Sequence, residues 1–228
     1  MSARTLFVTG TDTGAGKTVA SCALLRSYRE EGLRVCGFKP VAAGGIDIAA
    51  GLANEDALTL QQAAGTREPY ALLNPCLLRE PAAPHLAAQL EGRQIRLDAL
   101  DAAHRELQSR HQVIVAEGAG GWMVPLDEVR TLAEWVAEHD WPVILVVGMR
   151  LGCLNHALLS AEAIMRRARF AGWIASVLPP VMPLLDGNLE TLSRRLTAPL
   201  LGVIPENATP EAAAAALDRP ALRRLLEA

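Results

Sequence analysis

The sequence predicts an α/β fold: a doubly wound, mainly parallel sheet with helices on both faces, folded as a single domain over residues 1–228. Three observations carry this expectation. Short apolar runs alternate with helical, amphipathic stretches along the whole chain. The run at 142–148 is almost continuously apolar, as a central parallel strand buried on both faces should be. The first strand-to-helix junction is a glycine-rich turn closing on Gly16-Lys17-Thr18, the mark of a phosphate-binding loop, or P-loop.

Composition fits such a domain. Apolar residues make up 50% of the chain and charged residues 21%, ordinary values for a globular protein. The net charge of −3 implies no general attraction to nucleic acid or an anionic membrane. The apolar runs are too short to span a bilayer, and the chain enters its first strand directly, so no leader is expected and the cytoplasm is the expected compartment. Cys22, Cys36, Cys76 and Cys153 lack paired spacing and are expected as buried, reduced thiols.

Taken in order, residues 5–8 predict the first strand and residues 19–25 the first helix. Between them, backbone N–H groups of the turn converge on an anion, and the helix start adds its dipole. Lys17 then reaches terminal phosphates and the Thr18 hydroxyl ligates magnesium. Five residues rather than four separate Gly10 from Gly16, one more than the strict motif. Residues 34–39 form a second strand ended by Pro40. A right-handed crossover puts Lys39 at the carboxyl edge of the sheet, beside the phosphate loop. Only two of the 22 basic residues are lysines, Lys17 and Lys39. Where charge merely solubilises, this chain uses arginine, so both lysines mark sites that need a compact ammonium.

Residues 41–45 read as a flexible loop, and 54–65 as a helix with Asp56 in its first turn. Prolines at 69, 75, 81 and 84 suggest irregular surface chain over 66–84. Helices follow at 84–90 and 97–111, with His104 a half-buried spacer rather than a metal ligand, since no other His or Cys stands at ligand spacing. The strand at 112–117 ends in Glu117 and runs into a glycine-rich turn, the pattern of a magnesium-binding acid. A helix at 129–139, the strand at 141–148 and a helix reaching about residue 169 come next. Asn155 either caps that helix or binds a carboxylate at its start. A strand at 171–178, a helix at 185–196, a strand at 200–204 and helices in the Ala-rich tail complete the pattern.

These residues assemble one site: Lys17 and Thr18 on phosphates and magnesium, Glu117 and Asp56 as metal acids, and Lys39 as a second cation. Phosphoryl transfer is mostly positioning and charge neutralisation, so this set suffices for nucleotide hydrolysis or ligation. A lysine outside the phosphate loop points to a second anion beside the γ-phosphate.

The chain also resembles the dethiobiotin synthetase family. The resemblance rests on an ordered set: Val8-Thr9-Gly10-Thr11-Asp12-Thr13 with Gly16-Lys17-Thr18, Lys39-Pro40-Val41, Asp56-Ala57-Leu58 and Pro84-His85. It continues through Glu117-Gly118-Ala119-Gly120-Gly121-Trp122, Gly152-Cys153-Leu154-Asn155-His156, Ala171-Gly172-Trp173 and Leu201-Gly202-Val203-Ile204-Pro205. The longer phosphate loop is this family's form. What the resemblance implies is ATP-dependent carboxylation and ring closure of 7,8-diaminononanoate with CO2, giving dethiobiotin, ADP and phosphate through a carbamate and a carbamic–phosphoric anhydride. It implies Mg2+ on Thr18, Asp56 and Glu117, and catalytic roles for Lys17 and Lys39. Nucleotide contacts are implied at Asp12, Thr13, Gly14, Ala15, Gly16, Lys17, Thr18 and Val19, and again at Ser176, Pro205 and Glu206. Substrate contacts are implied at Thr13, Lys39, Ala43, Glu117, Gly118, Ala119 and Gly120. A homodimer is also implied, with Gly152, Cys153, Leu154 and Asn155 holding the substrate carboxylate of the neighbouring subunit.

Several positions depart from the family's usual pattern. Gly14 replaces an acid, Ala43 a hydroxyl residue, Ser176 an asparagine that reads the purine, and Leu189 a tyrosine near the substrate carboxylate. An alternative class is a partitioning or regulatory ATPase. Its relatives carry a second lysine five residues before the loop lysine, where this chain has Asp12. An amidating synthetase would need a glutamine-hydrolysing domain with a Cys–His pair, and none is expected within these 228 residues.

Overall fold

The computed structural model describes residues 3–227. Strand β1 (Arg4–Gly10) leads through the phosphate loop to α1 (Lys17–Glu30) and β2 (Val35–Phe38), the expected βαβ unit. A lateral segment follows: β3 (Val41–Ala43), β4 (Ile46–Ile48), β5 (Gly51–Ala53), α2 (Glu55–Ala64), α3 (Tyr70–Leu73), β6 (Cys76–Leu78) and α4 (Pro84–Leu90). The chain then alternates through α5 (Leu97–Gln108), β7 (Val113–Glu117), α6 (Leu132–Glu138), β8 (Val143–Met149), α7 (Cys153–Met165), β9 (Phe170–Val177), α8 (Leu185–Arg195), β10 (Leu200–Ile204), α9 (Pro210–Ala215) and α10 (Arg219–Glu227). No described helix is long and apolar enough to cross a membrane.

Six strands form one parallel sheet in the order β10-β9-β8-β1-β7-β2. Strand periodicity splits its side chains between two cores. Leu6, Val8, Val113, Val115, Ile144 and Val146 meet α1, α2, α9 and α10 on one face. Phe7, Phe38, Ile114, Ala116, Leu145 and Val147 meet α3 through α8 on the other. Burial on both faces is why β1, β7 and β8 are legible as apolar runs. The order reverses around β1, so β1 and β7 carry their carboxyl ends to one crevice.

Several expectations need correction. Residues 41–43 are not loop: β3 pairs in parallel with β6, aligning Val41 with Cys76 and Ala43 with Leu78. Val41 and Ala42 are buried, so burial of this short apolar stretch outweighs the flexibility suggested by Gly44-Gly45. The proline-rich stretch 66–84 holds α3 and β6, because its prolines stand at element ends rather than inside them. The helix expected from 129 starts at Leu132, where Thr131 and Glu134 form a reciprocal capping box. The helices expected to reach 111 and 169 stop at Gln108 and Met165. All four cysteines are free and buried, as expected.

His104 is fully buried rather than half-buried. It hydrogen-bonds Thr5 Oγ1 at 2.8 Å and lies against Trp141, with ring centroids 4.5 Å apart. Burial, helped by His139 and Arg105, lowers its pKa to about 4 from 6.5. The folded protein therefore keeps this imidazole neutral at pH values where the unfolded chain protonates it. Its contribution to stability is complete above pH 6.5 and is lost as pH falls toward 4, by about 3 kcal/mol in total. Urea midpoints measured above pH 6.5 and near pH 4 should drop more in the parent protein than in His104→Leu; equal drops would contradict this assignment.

Candidate active site

The phosphate loop is built by its glycines. Gly16, the N-cap of α1, has φ 89°, and a Cβ there would lie 2.2 Å from Ser176 Oγ. Only glycine fits both that backbone and that contact. Lys17, 8% exposed, folds back so that its Nζ donates to the Asp12 carbonyl at 3.1 Å. Asp12 accepts from Thr13 N–H at 2.7 Å and pairs with Arg150, bracing the loop against the end of β8.

Three elements bring the acids and the second lysine to this loop. Parallel pairing sets Glu117 opposite Val8 and Phe38 opposite Ala116, so Lys39 leaves β2 beside Glu117. Asp56 comes from the first turn of α2, which Asn54 caps by accepting from Ala57 N–H at 3.2 Å. Lys39 Nζ donates to Glu117 Oε1 at 2.6 Å and Asp56 Oδ2 at 2.9 Å. Thr18 Oγ1 lies 2.8 Å from Asp56 Oδ1 and 3.1 Å from Glu117 Oε1. Glu117 is 0% exposed, and its Oε2 has no hydrogen-bond partner among the described residues.

A hydrogen-bond chain that sequence reasoning missed ties the two sides together. Asn54 N–H donates to Tyr70 Oη (2.7 Å), Tyr70 O–H to Asn74 Oδ1 (2.9 Å), and Asn74 Nδ2 to the Lys39 carbonyl (2.7 Å). Asn54 was readable as a cap before two acidic residues. Tyr70 and Asn74 carried no local signal, because their role exists only through tertiary contact.

Burial works to lower both lysine pKa values. At Lys17 it prevails, aided by the Lys39 charge and despite Glu117, Asp56 and Asp12. At Lys39 the attraction of Glu117 and Asp56 exceeds it, so that ammonium is held above the ordinary lysine value. Burial would raise the Asp56 carboxyl, but Lys39, Thr18 and Lys17 together hold it below the ordinary value. The oxygens of Thr18, Asp56 and Glu117 are hard donors suited to Mg2+, which prefers one or two carboxylates with water and phosphate over an all-protein cage. Among the described residues no cluster of three or more His, Cys, Asp or Glu side chains forms such a cage. The unpartnered Glu117 Oε2 fits the same donor role.

These groups border a cleft of about 820 Å3. Its walls bring together the candidate site residues Thr13, Gly14, Gly16, Lys17, Thr18, Val19, Lys39, Ala43, Asp56, Ala119 and Gly120. Glu117 and Gly118 join through Lys39, whose Nζ lies 3.4 Å from the Gly118 carbonyl. Ala42, Asn54, the stretch 81–84, Val124 and Pro125 complete the wall and were not foreseen. Asp12 and Ala15 support the loop from outside this lining. Ser176 ends beneath Gly16, buried, and pairs in register with Ile204, so Pro205 and Glu206 follow at the same sheet edge without lining the cleft. Gly152, Cys153, Leu154 and Asn155 also stand apart from it. Gly152, at φ 95°, caps α7, so Asn155 is not the cap; it lies exposed in the first turn. Leu189 packs against the larger core.

The AAA domain family matches residues 4–214. The ATP-dependent dethiobiotin synthetase BioD of Yersinia pestis bv. Antiqua (strain Angola) is 48% identical over 200 residues, 87% of this chain and 83% of that protein. The chain belongs to the dethiobiotin synthetase family. BioD 1 of Escherichia coli (strain K12) is 46% identical over 87% of this chain and 89% of its own length. BioD of Aromatoleum aromaticum is 47% identical over 95% and 98%. Among solved structures, chloroplast FtsY from Physcomitrella patens superposes with a TM-score of 0.52 at 19% identity, covering 98% of this chain and 65% of that one. FtsY of Thermotoga maritima gives 0.51 at 18%, covering 99% and 69%. This chain thus spans about two thirds of each FtsY chain, and that likeness concerns the fold alone. As a family member the chain is an enzyme of the ATP-dependent synthetase type.

Proposed function

We propose that this chain carboxylates 7,8-diaminononanoate with CO2 and closes the ureido ring at the expense of ATP, forming dethiobiotin, ADP and phosphate. The observation that carries the reading is the second buried lysine. Lys39 sits within 3 Å of both acids yet outside the phosphate loop, where it can pair with a second anion beside the γ-phosphate. In this reading an amine of the substrate takes up CO2 as a carbamate, which Lys39 holds as an ion pair. Lys17 and the loop N–H groups hold the terminal phosphates, and a carbamate oxygen attacks the γ-phosphorus, releasing ADP. The second amine then attacks the carbamate carbon and expels phosphate. Thr18, Asp56 and Glu117 would hold Mg2+, which would supply charge neutralisation at the phosphates. Thr13, Ala43 and the 118–120 backbone line the substrate's side of the cleft; Ala43 lacks the hydroxyl that would add one hydrogen bond.

The reading includes a cytoplasmic homodimer in which Gly152, Cys153, Leu154 and Asn155 of one subunit hold the substrate carboxylate bound to the other. The exposure of Asn155 and the 95% exposure of Leu151 support it. Ser176, Pro205 and Glu206 form the base end, where serine in place of asparagine relaxes purine selection. ADP release, followed with ATP, Mg2+, bicarbonate and the diamine, should depend on the diamine. Release unchanged when the diamine is omitted would return the chain to the cycling ATPases.

A further inference from the structure

We infer that Lys39 is the stand-in counter-ion of the metal donors, and that a divalent cation and the Lys39 ammonium exchange places when the site is loaded. The inference rests on the assignment of Thr18, Asp56 and Glu117 as metal donors. Lys39 Nζ bridges the two carboxylates, 2.6 Å from Glu117 Oε1 and 2.9 Å from Asp56 Oδ2. Thr18 Oγ1 is shared between the same two side chains. A cation drawing on these oxygens at about 2 Å must enter the space between the carboxylates. That space is the one the ammonium spans, and two positive charges that close inside a buried site repel strongly.

The route out is visible. The remaining Lys39 Nζ hydrogen bond goes to the Gly118 carbonyl, 3.4 Å away, and the cleft that Lys39 lines also carries the small residues Ala43, Ala119 and Gly120. Among the described residues, Lys17 is the one other cationic side chain lining the cleft, and it is held to the Asp12 carbonyl of the phosphate loop. A displaced ammonium therefore turns from the protein's own carboxylates toward the face where the substrate anion is held. Lys39 is thus masked by Glu117 and Asp56 until the metal arrives, and the metal unmasks it.

The chain has two lysines, so protein isotope-labelled at the lysine ε-carbon gives two side-chain resonances, and Lys17→Met assigns the one from Lys39. Adding Mg2+ with the β,γ-imido analogue of ATP should shift the Lys39 resonance in Lys17-assigned, otherwise unaltered protein. Calorimetry with Mg2+ alone should show Lys39→Met binding the ion at least about tenfold more tightly than the parent, since the competing charge is gone. A Lys39 resonance unmoved while metal and analogue bind would overturn the exchange and leave the synthetase reading standing, as would equal Mg2+ affinity in the folded variant. Failure of the parent to bind Mg2+ even with the analogue would remove the donor assignment itself, and the exchange with it.

Discussion

Lys39→Arg is expected to lower diamine-dependent turnover by about 100-fold or more while leaving the fold intact, a loss of the size seen when one donor to a developing anion is misplaced. The charge is kept, so any loss reports geometry. Lys39 is 3% exposed, and its Nζ has acceptors at 2.6, 2.9 and 3.4 Å. A planar guanidinium is larger and presents its N–H groups as a fixed fork. Fitting it here displaces Asp56 or the Gly118 turn, at a cost of about 1–3 kcal/mol of overpacking. The change should fall mainly on kcat, because Lys17 and the loop N–H groups that hold the nucleotide are untouched. Turnover within a few-fold of the parent would mean that the scarcity of lysine reflects the coding preference of the gene and not the chemistry of the site.

What could be read before the structure follows from where the information lies. The strands β1, β7 and β8 are buried on both faces, so their apolar runs announce them locally. Lys17 and Thr18 open α1 just after a glycine turn and Glu117 ends β7 just before one, a short-range pattern with a direct physical cause. Lys39 was exposed by rarity rather than by motif. The misreadings share a different cause. Strands β3 and β6 are three residues each and gain their order from one another across more than thirty positions, so neither segment looks like a strand alone. The Asn54–Tyr70–Asn74–Lys39 chain is illegible for the same reason. His104 had the spacing of a helix face but no sign of the aromatic wall that buries it.

Glu117→Gln should be the more damaging of two superficially equal changes, the other being Asp56→Asn. Both remove one negative charge from beside Lys39 and Thr18 and preserve shape. They differ in burial: the Glu117 side chain is 0% exposed and that of Asp56 is 42% exposed. Neutralising Glu117 leaves the buried Lys39 ammonium with a single, partly solvated counter-ion. Breaking a fully buried pair costs about 3–5 kcal/mol, and Asp56 retains part of that, so the lower end is expected. In Asp56→Asn the shorter Glu117 contact survives and water screens the site, so a loss of about 1 kcal/mol or less is expected. Activity should fall in both, by about 100-fold or more for Glu117→Gln, because a metal donor and the Lys39 position are lost together. Denaturant midpoints of the metal-free proteins would rank the two. Equal destabilisation would mean that Lys39 draws no more on the buried carboxylate than on the open one, and that the 2.6 Å contact is not the anchor of the site.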